Sequence, residues 1–169
     1  MSERSAGDPA SESGGAPDVR ALPSEHVQPD DDASLVTAFE RARLISVGVR
    51  PLVLFGPRAM DRLPWPGPVW VVTAHNPGGS RGSDLDNDRR HDALVAEVGR
   101  FGIDPVEVDA GGPRWGERSL LIASDELDPE GVFALAERFG QHSVFELTDD
   151  RIRIVRVRDR RVVSDRPRT

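Results

Sequence analysis

Between Val69 and Leu94 the chain reads VWVVTAHNPGGSRGSDLDNDRRHDAL, and this order limits the available folds more than any other stretch. An apolar run stops at Thr73-Ala74-His75-Asn76-Pro77, crosses a glycine-rich polar segment, and opens a helix carrying Asn87 and His91. A strand, a loop and a helix start in succession leave backbone N–H groups free to meet an anion or a polar ligand. The stretch therefore marks where a site would lie, without naming a reaction.

The remaining elements follow from hydrophobic periodicity. Ala33–Leu44 reads as a helix with Leu35, Phe39 and Ala42 on one face. Pro51–Phe55 reads as a short strand, and Pro64, Pro66 and Pro68 form a stiff lead-in to the strand Val69–Ala74. Asn87–Phe101 is a helix with Leu94, Val98 and Phe101 inward and Gly102 as its stop. Pro105–Asp109 and Arg118–Ala123 read as strands. A helix then starts at Asp128-Pro129-Glu130, carries Val132, Leu135, Ala136 and Phe139 on one face, and stops at Gly140. Ser143–Leu147 and Arg151–Val157 form a final pair of strands around Asp149-Asp150. From Val69 to Leu147 the order is β-α-β-β-α-β. With right-handed crossovers this predicts an α+β, ferredoxin-like βαββαβ sandwich, with two helices on one face of an antiparallel sheet. An extra N-terminal helix and strand and a C-terminal strand would extend it.

Composition sets the outer limits. Residues 1–32 carry eight acids against two Arg and almost no large apolar side chains. Such a stretch buries too little surface to offset its ordering entropy, so it is predicted to be a disordered acidic tail. It has neither a signal-peptide core nor the basic character of a transit peptide. Residues 33–158 are predicted as one α+β domain and 159–169 as a flexible basic tail. The absence of cysteine excludes disulfides, thiolate nucleophiles and Cys-type zinc sites. No apolar run approaches a membrane span, and a cytoplasmic location is expected.

The fold expectation carries a geometric one. The end of the first strand, the start of the first helix, the start of the third strand and the end of the second helix would share one edge. The unexplained polar residues fall there: His75, Asn76, Ser80, Asn87, His91, Trp115, Glu117, Ser119, Gln141 and His142. Trp115, Glu117 and Ser119 alternate and so share one strand face. Asn87 and His91 extend the core stripe of their helix toward the same edge. A ligand site and a purely structural network closing the sheet end both need such convergence.

The segment Thr73-Ala74-His75-Asn76-Pro77, Ser80, Asn87 to Leu94, Trp115-Gly116-Glu117-Arg118-Ser119 and Ala136 to Gln141 resembles the bacterial domain-of-unknown-function family 3293. That family shows a T-A-x-N-P turn, an N-x-x-x-N helix start, a W-x-E-x-S strand and an F-x-Q helix end. The resemblance spans Ala33 to about Leu147, with His91 standing where the family often has its second Asn. It implies a shared role for the polar edge and no established activity.

Sharper chemistries fare less well. Asp84-Leu85-Asp86-Asn87-Asp88 begins like a calcium loop, but Arg89 replaces the sixth-position Gly and Val95 the twelfth-position Glu. His75, His91 and Glu117 would suit a divalent metal only if they converged, and no spacing enforces that, so no metal is expected. No nucleophile elbow, Walker loop or dinucleotide fingerprint occurs, and no cofactor is implied. Arg151, Arg153, Arg156, Arg158, Arg160 and Arg161 lack interleaved aromatics, which disfavours nucleic acid; a charge-protected edge strand explains them as well.

Two functions remain open. In the first, a small polar or anionic ligand binds the edge. Asn76 and Asn87 hydrogen-bond it, with Ser80, His91, Ser119 and Gln141 around it. Arg81 or Arg90 neutralises it, Trp115 walls it, and Glu117 is the candidate acid or base. In the second, the edge is structural and the Arg-rich tail contacts a protein partner.

Overall fold

The computed structural model describes residues 32–47, 52–56, 59–112, 115–123 and 125–168. The expected acidic tail, apart from Asp32, lies outside them. Twelve elements follow in order: α1 (Asp32–Glu40), β1 (Arg43–Ser46), β2 (Val53–Phe55), β3 (Val69–Thr73), a 3-10 turn (Pro77–Gly79), α2 (Asp84–Arg100), β4 (Val106–Gly112), β5 (Trp115–Ala123), α3 (Pro129–Arg138), β6 (Ser143–Leu147), β7 (Arg151–Arg156) and β8 (Val162–Pro167). All eight strands join one sheet in the order β2-β1-β4-β5-β3-β6-β7-β8, and every neighbouring pair is antiparallel.

This corrects the ferredoxin-like βαββαβ sandwich. The described residues form a curled, eight-stranded antiparallel half-barrel with three α-helices, and the strands hold more residues than the helices. The physical reason is that the strands are apolar on both faces. Trp70, Val72, Leu120 and Ile122 pack under α2 and α3 against Leu94, Val98, Val132 and Phe139. The alternate residues Val69, Val71, Leu121, Ala123 and Leu147 form a second core with Leu44, Leu54, Ile152 and Ile154. A four-stranded sandwich would leave that second face in water, at roughly 25 cal/mol for each Å² of apolar surface left exposed. Curling the outer strands around it buries it instead.

Two strands were hidden in the sequence. β1 begins within the expected Ala33–Leu44 helix, which ends at Glu40; from Arg43 on, burial alternates with Leu44 and Ser46 inward. β8 replaces the expected flexible tail at 159–169. It pairs with β7 from Arg151↔Pro167 to Val155↔Val162, and Pro167 is tolerated because β8 is an edge strand. Phe101, expected inward, is 55% exposed.

The two edges of the sheet meet. Arg168, directly after β8, is fully buried and its guanidinium donates to three backbone carbonyls: Leu54 at 3.1 Å, Asp61 at 2.9 Å, and Asp149 at 2.9 and 2.7 Å. Gly56 N–H in turn reaches Arg168 O at 3.5 Å. The end of β2 is thus stitched to the end of β8 and to the β6–β7 turn. Nearby, α1 is fastened to β8: Ser164 Oγ donates to Glu40 Oε1 at 2.7 Å, and Arg166 Nη2 to Glu40 O at 2.6 Å. Among the described residues, no helix is long and apolar enough to cross a membrane.

Candidate functional site

A cleft of about 260 Å³ opens at the end of the half-barrel where β3 and β5 meet the loop into α2. Its floor comes from the face opposite α2 and α3. Val71 and Thr73 of β3, Trp115, Glu117 and Ser119 of β5, and Phe145 of β6 all point into it. These positions alternate along their strands, so one face of the sheet supplies them together. Its roof is α1, through Leu35, Ala38 and Phe39. The Phe39 ring stands edge-on to Trp115 (6.1 Å, 75°) and to Phe145 (5.8 Å, 77°), and 6.4 Å from His142.

The loop that closes one side owes its shape to Asn76. This residue adopts a left-handed conformation (φ 48°), which Asn tolerates better than other side chains bearing a Cβ. Both its amide oxygen and its amide nitrogen are engaged in holding that bend. Oδ1 accepts from Gly82 N at 2.9 Å and from Asn87 Nδ2 at 3.1 Å, while Asn87 Oδ1 accepts from Asn76 N at 2.9 Å. Asn76 Nδ2 donates to Glu117 Oε1 at 2.8 Å. The helix start is secured independently, since the Ser83 side chain caps α2 by accepting from Asp86 N. Gly79, at φ +79°, brings the loop against α1, where a Cβ would meet Leu35 at 2.9 Å.

Glu117 is the group this network presents. Burial pushes its carboxyl above the ordinary range, and the Asn76 hydrogen bond offsets part of that rise. No cation of the described residues lies within ion-pair distance of it. Arg118, its neighbour in sequence, points to the opposite face and pairs with Glu107 at 3.1 Å and Asp88 at 3.8 Å. Arg81 lies exposed at the mouth, and Asp84 lines the same rim.

Of the ten residues expected to bind a ligand, Asn76, Arg81, Asn87, Trp115, Glu117, Ser119 and Gln141 line the cleft. Their roles differ from the expectation. Asn76 and Asn87 direct their amides at each other, the loop and Glu117. Gln141 Nε2 donates to His75 O at 3.0 Å. These three position the site.

Ser80, Arg90 and His91 lie outside the cleft. Ser80 is exposed, beyond the 3-10 turn. Arg90 cannot neutralise a ligand, because it clamps Ala74 O at 2.8 Å and Phe139 O. His91 is fully buried against His75 (ring centroids 5.9 Å, nearly perpendicular), with Nε2 3.6 Å from Glu107 Oε1. Burial first, and then the nearby His91, lower the pKa of His75 and favour its neutral form. The His75, His91 and Glu117 metal set does not assemble: among the described residues no group of three or more His, Asp or Glu could hold an ion. Sequence reasoning missed α1 as the roof. The Leu35/Phe39 stripe was its only signal, and a stripe of that kind is ordinarily core.

Residues 72–144 match the family described as Protein of unknown function (DUF3293). The match runs from β3 into β6 and supports the family that the turn and strand motifs resemble, over a shorter span than Ala33 to about Leu147. No curated protein and no solved structure matches the chain.

Proposed function

We propose that the DUF3293 segment, roofed by α1, forms a binding pocket for a small polar ligand, with Glu117 as the anchoring group. The observation that carries this reading is the carboxyl of Glu117. It is half-buried, fixed by one hydrogen bond from Asn76, and directed into an aromatic-walled cleft rather than at an arginine. A concave, largely apolar pocket with a few convergent polar groups is the usual form of a small-molecule site. A purely structural network would be expected to pair its half-buried acid internally. The Arg-rich C-terminal segment supports a partner surface poorly, because much of it is used within the chain. Arg151 and Arg153 pair with Asp165, Arg156 with Asp159, and Arg160 with Glu137.

Mapping with phenol, acetamide and imidazole by amide and indole NMR of the full chain tests the reading. Perturbations should cluster at Trp115–Glu117 and Gln141–Ser143; a response scattered over the surface would overturn it.

A stability measurement adds a second check. A carboxyl whose pKa is raised by folding favours the folded state below its unfolded pKa, and loses that advantage as pH rises through the folded value. Glu117→Gln keeps an acceptor for Asn76 and removes the charge. It is therefore expected to raise the melting temperature at pH 7, with the gain vanishing as pH falls below the ordinary carboxylate range. Calorimetric scans across pH 3.5–8 (about the span of the titration) check this. An equal effect at all pH values would show that ionised Glu117 bears no burial penalty.

A further inference from the structure

Resting on the pocket reading, we infer that the ligand's inner end is a planar nitrogen cation of the amidinium or guanidinium type, seated on Glu117 beside the Trp115–Phe39 ring pair. Three observations converge on this chemistry.

The first is the isolation of Glu117 in an arginine-rich chain. Of the other partly buried glutamates, Glu146 has Arg153 at 3.3 Å, Glu97 has Arg138 and Arg100, and Glu107 has Arg118, while the Glu40 carboxylate accepts from the Ser164 hydroxyl. Glu117 accepts one hydrogen bond, at Oε1. A planar cation supplies two parallel N–H donors and the charge that a desolvated carboxylate lacks, in the fork geometry that makes such pairs strong.

The second is the walls. Trp115, Phe39 and Phe145 line the same space, with Phe39 in edge-on contact with each of the other two at about 6 Å. Ring faces attract cations, most strongly where water is excluded.

The third is the sign of the lining. Its charged side chains are Glu117 and Asp84 against Arg81, and Arg81 is exposed at the rim. His75 is disposed to be neutral by its burial beside His91. An anionic head at the floor would meet Glu117 with nothing to neutralise it. Arg81 is left to receive an acceptor group on the ligand's outer end.

Isosteric probe sets test this on the full chain: methylguanidinium, N-methylurea and acetate, and benzamidine, benzamide and benzoate. The cation of each set is expected to shift the Trp115 indole and Glu117 amide resonances, and to bind at least about tenfold more tightly than its neutral isostere, since one charge-assisted pair is worth that much or more. Glu117→Gln should reduce the cation to the level of the neutral probe.

If that variant folds poorly, wild type gives the same information. Cation affinity should fall as pH is lowered through the Glu117 titration, while neutral-probe affinity stays flat. Neutral or anionic probes binding at Trp115 as well as the cation would refute the cation and leave the pocket standing. Silence at Trp115 with every probe, alongside scattered fragment mapping, would overturn both readings.

Discussion

Arg168→Ala is expected to destabilise the protein by about 3–5 kcal/mol in urea unfolding, the largest effect of any single substitution considered. The guanidinium is fully buried and donates to carbonyls on three separate segments: the end of β2, the Asp61 loop and the β6–β7 turn. Charged hydrogen bonds contribute more than neutral ones, and carbonyls left without a donor keep their desolvation penalty. Arg168→Lys should recover little, because a single ammonium cannot present the planar fork that spans these carbonyls. Arg161→Ala, on the exposed β7–β8 turn, should change stability by less than about 0.5 kcal/mol. An Arg168→Ala chain as stable as wild type would mean that the seam between the sheet edges adds nothing.

Asn76→Ala should cost about 3 kcal/mol. Roughly 1–2 kcal/mol belongs to placing an ordinary side chain at φ 48°, and the rest to the Gly82, Asn87 and Glu117 hydrogen bonds. Asn76→Gly separates the two contributions. It restores the backbone freedom, so about 1 kcal/mol should return, while the side-chain bonds stay lost. A readout beyond stability distinguishes a positioning residue from a merely structural one. The Asn76 bond lowers the Glu117 pKa, so both variants should let it rise further, as followed by carboxyl carbon NMR. An unchanged Glu117 titration would break the link between the loop and the site.

The legibility of these features follows from their physics. Ser143–Leu147 coincides with β6, and α3 carries the expected Val132, Leu135, Ala136 and Phe139 stripe, all buried. Strong periodicity and clear stop signals made both readable. β1 was hidden because Ala42 continues the helical spacing of Leu35 and Phe39, and no stop residue separates α1 from the strand. β8 reads VVSDRP, polar and proline-ended, and its strand character comes from pairing with β7 rather than from its own composition. The side of the sheet was the deeper difficulty. Alternation placed Trp115, Glu117 and Ser119 together correctly, but nothing local states which face a strand turns toward which helix. Only the assembled half-barrel sets that face opposite α2 and under α1. The convergence of Asn76, Asn87 and Glu117 was visible as a cluster of polar types. Which of them hold the others, and which one faces the cleft, depends on hydrogen-bond directions that no spacing encodes.

The fastening of α1 to β8 bears on synthesis from the ribosome. Every residue of the cleft floor precedes Thr148, yet its roof is held by Ser164 and Arg166, and the seam closes on Arg168. A nascent chain in which β8 is still in the exit tunnel can pair β3, β5 and β6, but it has no anchor for the helix above them. The contacts that finish the pocket join residues 40 to 164 and 54 to 168, among the most widely separated in the chain, and such contacts form late. Until residues 164–168 have emerged, the aromatic floor lacks its fastened roof, so the pocket becomes competent only after β8 has paired.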